Sequence, residues 1–305
     1  MKGIFYSLIT ALFVIPLLFL ATVYIHDVQS AAEGYTAKAV GDKMASLAKS
    51  VDNDVPRATK IIARRAVEAN IQHIEVSGTP LDDAQQRIVE AMLNGTVYGN
   101  VTSLDNFTLT GWAAELSRKG EAFGFATQVN VSDIAVAPYD SYHITVRVAV
   151  SVNMTDTSRQ ASLYRLYNNS YAISIIGTVD PLYLLNTNGI FKRTIEPPPV
   201  TIVDVVTLDM AVAGGYYMPA PSGPSLLDRM EGRLAATTAT NGLETLVSLP
   251  DLQANGLPVK PDQNSADYLY FDTVVQSGTP VNQSSYAWLR LNAEQASRYG
   301  VTLVP

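Results

Sequence analysis

The sequence contains no cysteine. Without thiols the chain has no disulfide scaffold, no thiolate metal site, no covalently attached haem and no cysteine nucleophile. Histidine is scarce as well, and the three residues His26, His73 and His143 lie far apart, without metal-ligand spacing. These absences exclude several common classes of metalloprotein and enzyme.

Charge and catalytic motifs are sparse too. Charged residues make up only 16% of the chain, and the net charge of -7 argues against a nucleic-acid partner. The sequence has no glycine-rich phosphate loop, no paired-carboxylate motif and no nucleophile elbow. We therefore expect a protein that is not an enzyme and has no catalytic, cofactor-binding or metal site.

The longest uncharged stretch lies at the N-terminus, where residues 4–25 contain no charged side chain. At about 1.5 Å of rise per residue, a helix of this length crosses a hydrocarbon core of about 30 Å. Lys2 precedes the stretch and Asp27 follows it, so the chain start should stay cytoplasmic and the body should be exported. A cleaved secretory signal, with a cleavage site at residues 30–32, is the alternative.

Asn-x-Ser/Thr sequons are more frequent than composition predicts. Ser and Thr are 47 of the 305 residues, so chance gives the sixteen Asn residues only about two or three sequons. The sequence has seven, at Asn94, Asn100, Asn106, Asn130, Asn153, Asn168 and Asn282. The excess indicates an exported surface carrying N-linked glycans. The alternative is that Asn, Ser and Thr merely share loops.

Helical spacing dominates the first 120 residues. Apolar residues continue at helical spacing from the uncharged stretch to about residue 50, with a kink expected at Pro16. Capping and turn residues then predict new helices over residues 54–74, 79–93 and 110–120.

A period of two replaces the helical pattern further on. Apolar residues alternate with polar ones over 142–152, which predicts a half-buried strand. Flanking segments at 123–136 and 159–178 suggest an antiparallel meander with helices packed on one face.

The prolines at 197–199 interrupt both helix and sheet and mark a candidate boundary. Beyond them we expect strands over 267–275 and 286–291, and helices over 225–234 and 292–300. The predicted fold class is α+β: a stem helix at 1–50, a domain of helices and antiparallel sheet at 51–195, and a β-rich C-terminal domain at 196–305.

A short leader, Met1-Lys2-Gly3, is followed by the predicted apolar helix Ile4 to Ile25 and then by a body predicted to contain sheet. This arrangement resembles that of type IV pilins and the pilin-like surface proteins of archaea. Bacterial pilins carry a glutamate at the fifth mature position. Here that position is Leu8, a departure that favours the archaeal type, in which the glutamate is often absent.

The resemblance implies several properties. A prepilin-type peptidase would cut between Gly3 and Ile4, and pilus assembly machinery would then move the chain from the membrane into a filament. Copies would associate through the N-terminal helix, with Leu8, Leu12, Pro16, Leu17 and Leu20 among its residues. The expected location is the cell surface, with the helix in the cytoplasmic membrane or in the filament core.

Two other functions fit the same sequence. One is a monomeric, membrane-anchored extracellular module for binding or adhesion. The other is an anchored hydrolase, which would need a catalytic pair assembled from distant segments.

Overall fold

The computed structural model describes the backbone of residues 2–157, 161–235, 237 and 242–305. Side chains at 2–13, 15, 32 and 33 lie outside this description. The described chain is 44% helix and 23% strand, which confirms a mixed fold with a long N-terminal helix and antiparallel sheets.

Helix α1 extends from Lys2 to Ser77. It continues through Pro16, and every described side chain from 14 to 39 is exposed. Burial begins at Met44 and then recurs at three- or four-residue spacing, at Ala48 and Val51. The spacing places these three side chains on one face of the helix.

The predicted new helix at residue 54 is wrong, because α1 continues through Pro56. Proline inside a helix removes one hydrogen bond and costs roughly 3 kcal/mol. Val51 and Val55, one turn apart, are each only 1% exposed, and burying each valine contributes about 1.5 to 3 kcal/mol. Their burial offsets the proline.

Helix α2, Ala84–Asn94, begins later than the predicted residue 79. Its N-cap is Asp83, whose carboxylate accepts from the Gln86 N–H at 2.9 Å. The proline at 80 lies before the helix and not in its first turn, so the helix begins only after the N-cap at Asp83.

The short strands β1, Thr96–Val97, and β2, Asn100–Val101, pair next. Helix α3, Leu109–Ala122, confirms the predicted fourth helix.

Three strands form the main sheet in the order β3, β4, β5. Their bounds are Phe125–Asp140, His143–Asp156 and Ser162–Ser174. On β4, every even-numbered residue from Ile144 to Met154 is buried, as the alternation predicts.

Short elements make up the rest of the chain. The helices are α4 Pro181–Asn186, α5 Val205–Gly214, α6 Leu226–Met230, α7 Leu249–Ala254, α8 Asp267–Tyr270 and α9 Ala293–Tyr299. The strands β6 Tyr217–Pro219 and β7 Leu243–Thr245 pair with each other, as do β8 Thr279–Pro280 and β9 Arg290–Leu291.

The expectation of a β-rich C-terminal part is wrong for the described residues. Residues 267–270, predicted as strand, form helix α8, in which the Tyr270 N–H donates to the Ala266 carbonyl at 2.7 Å. Asp267 is fully buried against Arg229, and this distant contact overrides the local alternation. Helix α9 is confirmed, with a capping box between Asn292 and Gln295 and Gly300 at its end.

The chain divides into two compact units. The first comprises Met1–Asp54, Glu115–Val129 and Ser151–Arg165, and the second Val55–Ala114, Asn130–Val150 and Leu166–Pro305. Residues 166–305 thus belong to one unit, and the predicted boundary at 195/196 stays a prediction.

Candidate functional site

The N-terminal part of α1 exposes a continuous apolar surface. Its large side chains are between 42% and 77% exposed: Val14, Leu17, Leu18, Phe19, Leu20, Val23, Tyr24, Ile25, Val28 and Tyr35. We call these ten residues the apolar stem. Soluble monomers rarely expose apolar patches larger than a few hundred Å², and larger ones mark contacts with proteins or membranes.

The predicted helix residues fall into two groups. Pro16, Leu17 and Leu20 are exposed on the stem. Gly3 and Ile4, at the predicted leader cleavage site, and Leu8 and Leu12 have side chains outside the described set. Within the described residues, no helix contains a segment long and apolar enough to cross a membrane. The predicted span at 4–25 includes residues that the description leaves out.

All seven sequon asparagines are exposed, at Asn94, Asn100, Asn106, Asn130, Asn153, Asn168 and Asn282. By contrast, Asn70 and Asn264, which lack the sequon, are buried and bonded to other residues. Every predicted acceptor is therefore accessible to a glycosyltransferase in the folded chain.

The three histidines stay apart in the structure. His143 Nδ1 lies 2.9 Å from an Asp140 carboxylate oxygen, and the His73 ring packs on Tyr98 at 5.3 Å between centroids. His26 is exposed on α1. Among the described residues, no three His, Asp or Glu side chains come close enough to hold a metal ion.

A buried ionic cluster, which sequence reasoning missed, lies in the second unit. Arg229 is 0% exposed and donates to Asp180 at 2.6 Å and to Asp267 at 2.7 Å. The Tyr217 hydroxyl donates to Asp180 at 2.8 Å. Burial opposes the guanidinium charge, but the two carboxylates outweigh it and raise the pKa of Arg229. The one sequence signal was an arginine among the apolar residues of α6.

A second buried carboxylate holds helix α9. Glu244 on β7 accepts from Arg298 Nη1 at 2.8 Å and from Gln295 Nε2 at 3.3 Å, and it also pairs with the Tyr299 hydroxyl. Burial raises the pKa of Glu244 to about 7, against the attraction of Arg298. Because Glu244 and Arg229 are both 0% exposed, neither can touch a ligand, and both act on the fold.

A cleft of about 520 Å³ opens beside Arg298. Its walls are mostly apolar and include Tyr142, the prolines at 197–199, Met218 and Tyr299. The Tyr142 hydroxyl donates to the Tyr217 carbonyl at 2.6 Å, and Arg298 is paired with Glu244 and Glu294. The cleft is therefore suited to an apolar or stacking group more than to a charged one.

No protein-family model matches the chain, and neither a curated protein nor a solved structure shows significant similarity to it.

Proposed function

We propose that the chain is the structural subunit of an extracellular pilus-like filament, or a pilin-like cell-surface protein, that assembles through its N-terminal helix. The observation that carries the proposal is the apolar stem, whose ten large side chains are all exposed in the isolated chain. Such a surface needs an apolar environment, supplied by lipid before assembly and by neighbouring copies afterwards.

Burial of the stem away from water is strongly favourable. Removing on the order of 1,000 Å² from water at about 25 cal/mol per Å² contributes roughly 25 kcal/mol before the costs of ordering, and the fit between side chains then distinguishes neighbouring copies from lipid. Residues 14–25, which carry eight of the ten stem side chains, have no charged residue on any side of the helix, so this part can pack against several neighbours at once, as a filament core requires. Cleavage between Gly3 and Ile4 by a prepilin-type peptidase would release the helix to the assembly machinery.

The exposed sequons support an extracellular location. N-linked glycans at several of these sites would cover part of the exposed surface of the chain. Neither a catalytic role nor a cofactor is part of this proposal.

A monomeric, membrane-anchored binding module is the second candidate. The cleft of about 520 Å³ favours it, because that volume is in the range of small-ligand pockets. In this alternative the stem only anchors the chain, and the cleft binds the ligand.

Alanine substitutions in the stem separate the two candidates. Anchoring depends on total hydrophobicity, so Leu17→Ala or Leu20→Ala changes membrane retention by well under 1 kcal/mol. Assembly depends on side-chain fit, because lipid tails are as apolar as leucine. We expect both variants to stay in the membrane fraction but to yield fewer filaments on shearing.

The matched control is Leu166→Ala, which changes a 63% exposed leucine of β5 outside the stem. It should leave filament yield unchanged. Equal losses for all three variants would count against a specific role of the stem in assembly. No filaments even from the parent chain, with the peptidase present, would favour the anchored module.

Glycosylation has its own test. The intact mass of the native protein should exceed the sequence mass of 32.9 kDa by more than one glycan. A bare mass would remove the sequons as support for an extracellular location.

A further inference from the structure

The hairpin of β1 and β2 holds one predicted glycan acceptor beside helix α1. Val97 pairs with Asn100 across the hairpin. The two residues between them, Tyr98 and Gly99, both have positive φ, at 53° and 75°, as the tight two-residue turn of a hairpin requires. The Tyr98 ring packs on the His73 ring of α1 at 5.3 Å between centroids. This contact fixes the hairpin, and with it Asn100, against the helix.

A depression of about 200 Å³ lies between the hairpin and α1, and Asn100 is part of its wall. Its apolar walls are Ala69, Val76, Val97 and Val101. Val76 and Val101 are 81% and 79% exposed, the highest values for any large apolar side chain among the described residues. A group attached to Asn100 would lie next to both valines, and covering them would remove apolar area from water. We call this site the near depression.

A second depression, of about 430 Å³, follows on the same side of α1, and we call it the far depression. It shares Gln72 and Ser103 with the near depression, and the Ser103 hydroxyl donates to Gln72 at 3.3 Å. Arg65 and Glu68 also line it. From Val76 to Arg65 the helix rises about 16 Å, more than the length of one sugar ring. The two depressions together form a groove within the range of about 300 to 1,000 Å³ that is typical of ligand sites.

The order of side chains along the groove matches the chemistry of an oligosaccharide. A sugar ring has an apolar face of C–H groups and a rim of hydroxyls. The near depression offers Val76 and Val101 to the C–H groups. In the far depression, Arg65 offers guanidinium donors, and Glu68 offers a carboxylate that accepts several hydrogen bonds, one of them from Arg64 at 2.7 Å. Hydroxyls can bond to both groups, because they donate and accept.

We infer that an N-linked glycan on Asn100 lies in this groove, with its first sugars over Val76 and Val101 and later ones between Arg65 and Glu68. The inference rests on the N-glycosylation in the proposed function and goes beyond it, because it gives one glycan a fixed place on the fold. The attachment point selects the occupant. A glycan that begins at the wall of the groove has a high effective concentration there, so weak contacts suffice to hold it.

Engineered cysteines report the cover directly, because the natural chain has none. Val76→Cys marks the near depression, and Ser103→Cys marks the wall that the two depressions share. Each full-length variant is purified in detergent from the native cells, and its rate of labelling by a maleimide is measured with and without Asn100→Gln. Glutamine is not a glycan acceptor. We therefore expect Asn100→Gln to speed labelling severalfold at both positions.

Two controls are matched to this change. Val275→Cys, at a 72% exposed valine outside the groove, should label at the same rate with and without Asn100→Gln. Asn106→Gln removes the next sequon, whose asparagine lies outside the walls of the groove, and it should leave the labelling of Val76→Cys unchanged. An unchanged circular dichroism spectrum of each variant excludes unfolding as the cause.

Glycopeptide mass spectrometry establishes whether Asn100 carries a glycan. A bare Asn100 would overturn the inference but would leave assembly through the stem untouched, because filament yield is not part of this measurement. Equal labelling rates with and without the Asn100 glycan would overturn it too, as would faster labelling with Asn106→Gln in place of Asn100→Gln. Cover at Val76→Cys without cover at Ser103→Cys would overturn the path along the groove.

Discussion

The apolar stem of α1 and the buried cluster around Arg229 reverse the usual distribution of side chains in opposite ways. In the stem, leucine and phenylalanine side chains are about 60% to 70% exposed. Around Arg229, an arginine and two aspartates are 0% exposed. The stem surface thus lacks a partner among the described residues, whereas the cluster has its partners inside the fold.

Under the proposed function, the difference separates residues that contact other molecules from residues that stabilise the fold. Exposed apolar area costs little stability in the isolated chain, so changing it should affect assembly and leave folding alone. Buried charge is stable only while every partner is present, so changing one member should affect folding. The following predictions test this division.

The largest effect is expected for Arg229→Met. The substitution keeps most of the volume but leaves Asp180 and Asp267 buried without a cation, which costs about 3 to 5 kcal/mol of unfolding free energy. Chemical denaturation measures the loss. The control is Lys192→Met at the exposed Lys192–Glu75 pair, where less than about 1 kcal/mol should be lost. Similar losses at the two sites would mean that the buried cluster has no special role in stability.

The next effect is a pH dependence from Glu244. Its folded pKa of about 7 lies above the ordinary value of 4.5, so the folded chain holds a proton that the unfolded chain releases. The stabilisation from this group is fully present below pH 4.5 and is lost as the pH rises through 7. At 1.36 kcal/mol per pH unit the change is about 3 kcal/mol.

Comparison with Glu244→Gln isolates this contribution, because other titrating groups are common to both proteins. The unfolding free energy of the parent, minus that of the variant, should fall between pH 4.5 and 7. A difference that is flat with pH would show that Glu244 stays charged in the folded chain, paired with Arg298.

The smallest effect is expected in the stem. Leu20→Ala changes a 68% exposed side chain and should alter the unfolding free energy by less than about 0.5 kcal/mol. The same substitution at the buried Leu208 of α5 should cost about 2 to 5 kcal/mol. If Leu20→Ala were as costly as Leu208→Ala in dilute detergent, the stem would have a partner within its own chain.

Elements with local signals were predictable from sequence. The period of two located β4, and the capping box of Asn292 and Gln295 with Gly300 located α9. The prediction of secondary structure failed where contacts between residues far apart in the chain determine it. Helix α1 continues through Pro56 because Val51 and Val55 are buried, and residues 267–270 are helical with Asp267 held by Arg229.

The features of the candidate site also divide into those that a local sequence pattern reveals and those that only the fold brings together. The uncharged stretch and each single sequon consist of consecutive residues, so both can be identified from the sequence. The buried cluster joins Asp180, Arg229 and Asp267 from segments far apart in the chain, and no spacing rule relates them.

The most direct measurement of the central claim is negative-stain electron microscopy of material sheared from cells that make this chain, with antibody labelling of the chain itself. We predict labelled filaments from the parent and from Leu166→Ala, and markedly fewer from Leu17→Ala and Leu20→Ala at equal membrane content. Labelled membranes without filaments, for the parent as for the variants and with the prepilin-type peptidase present, would contradict assembly through the apolar stem.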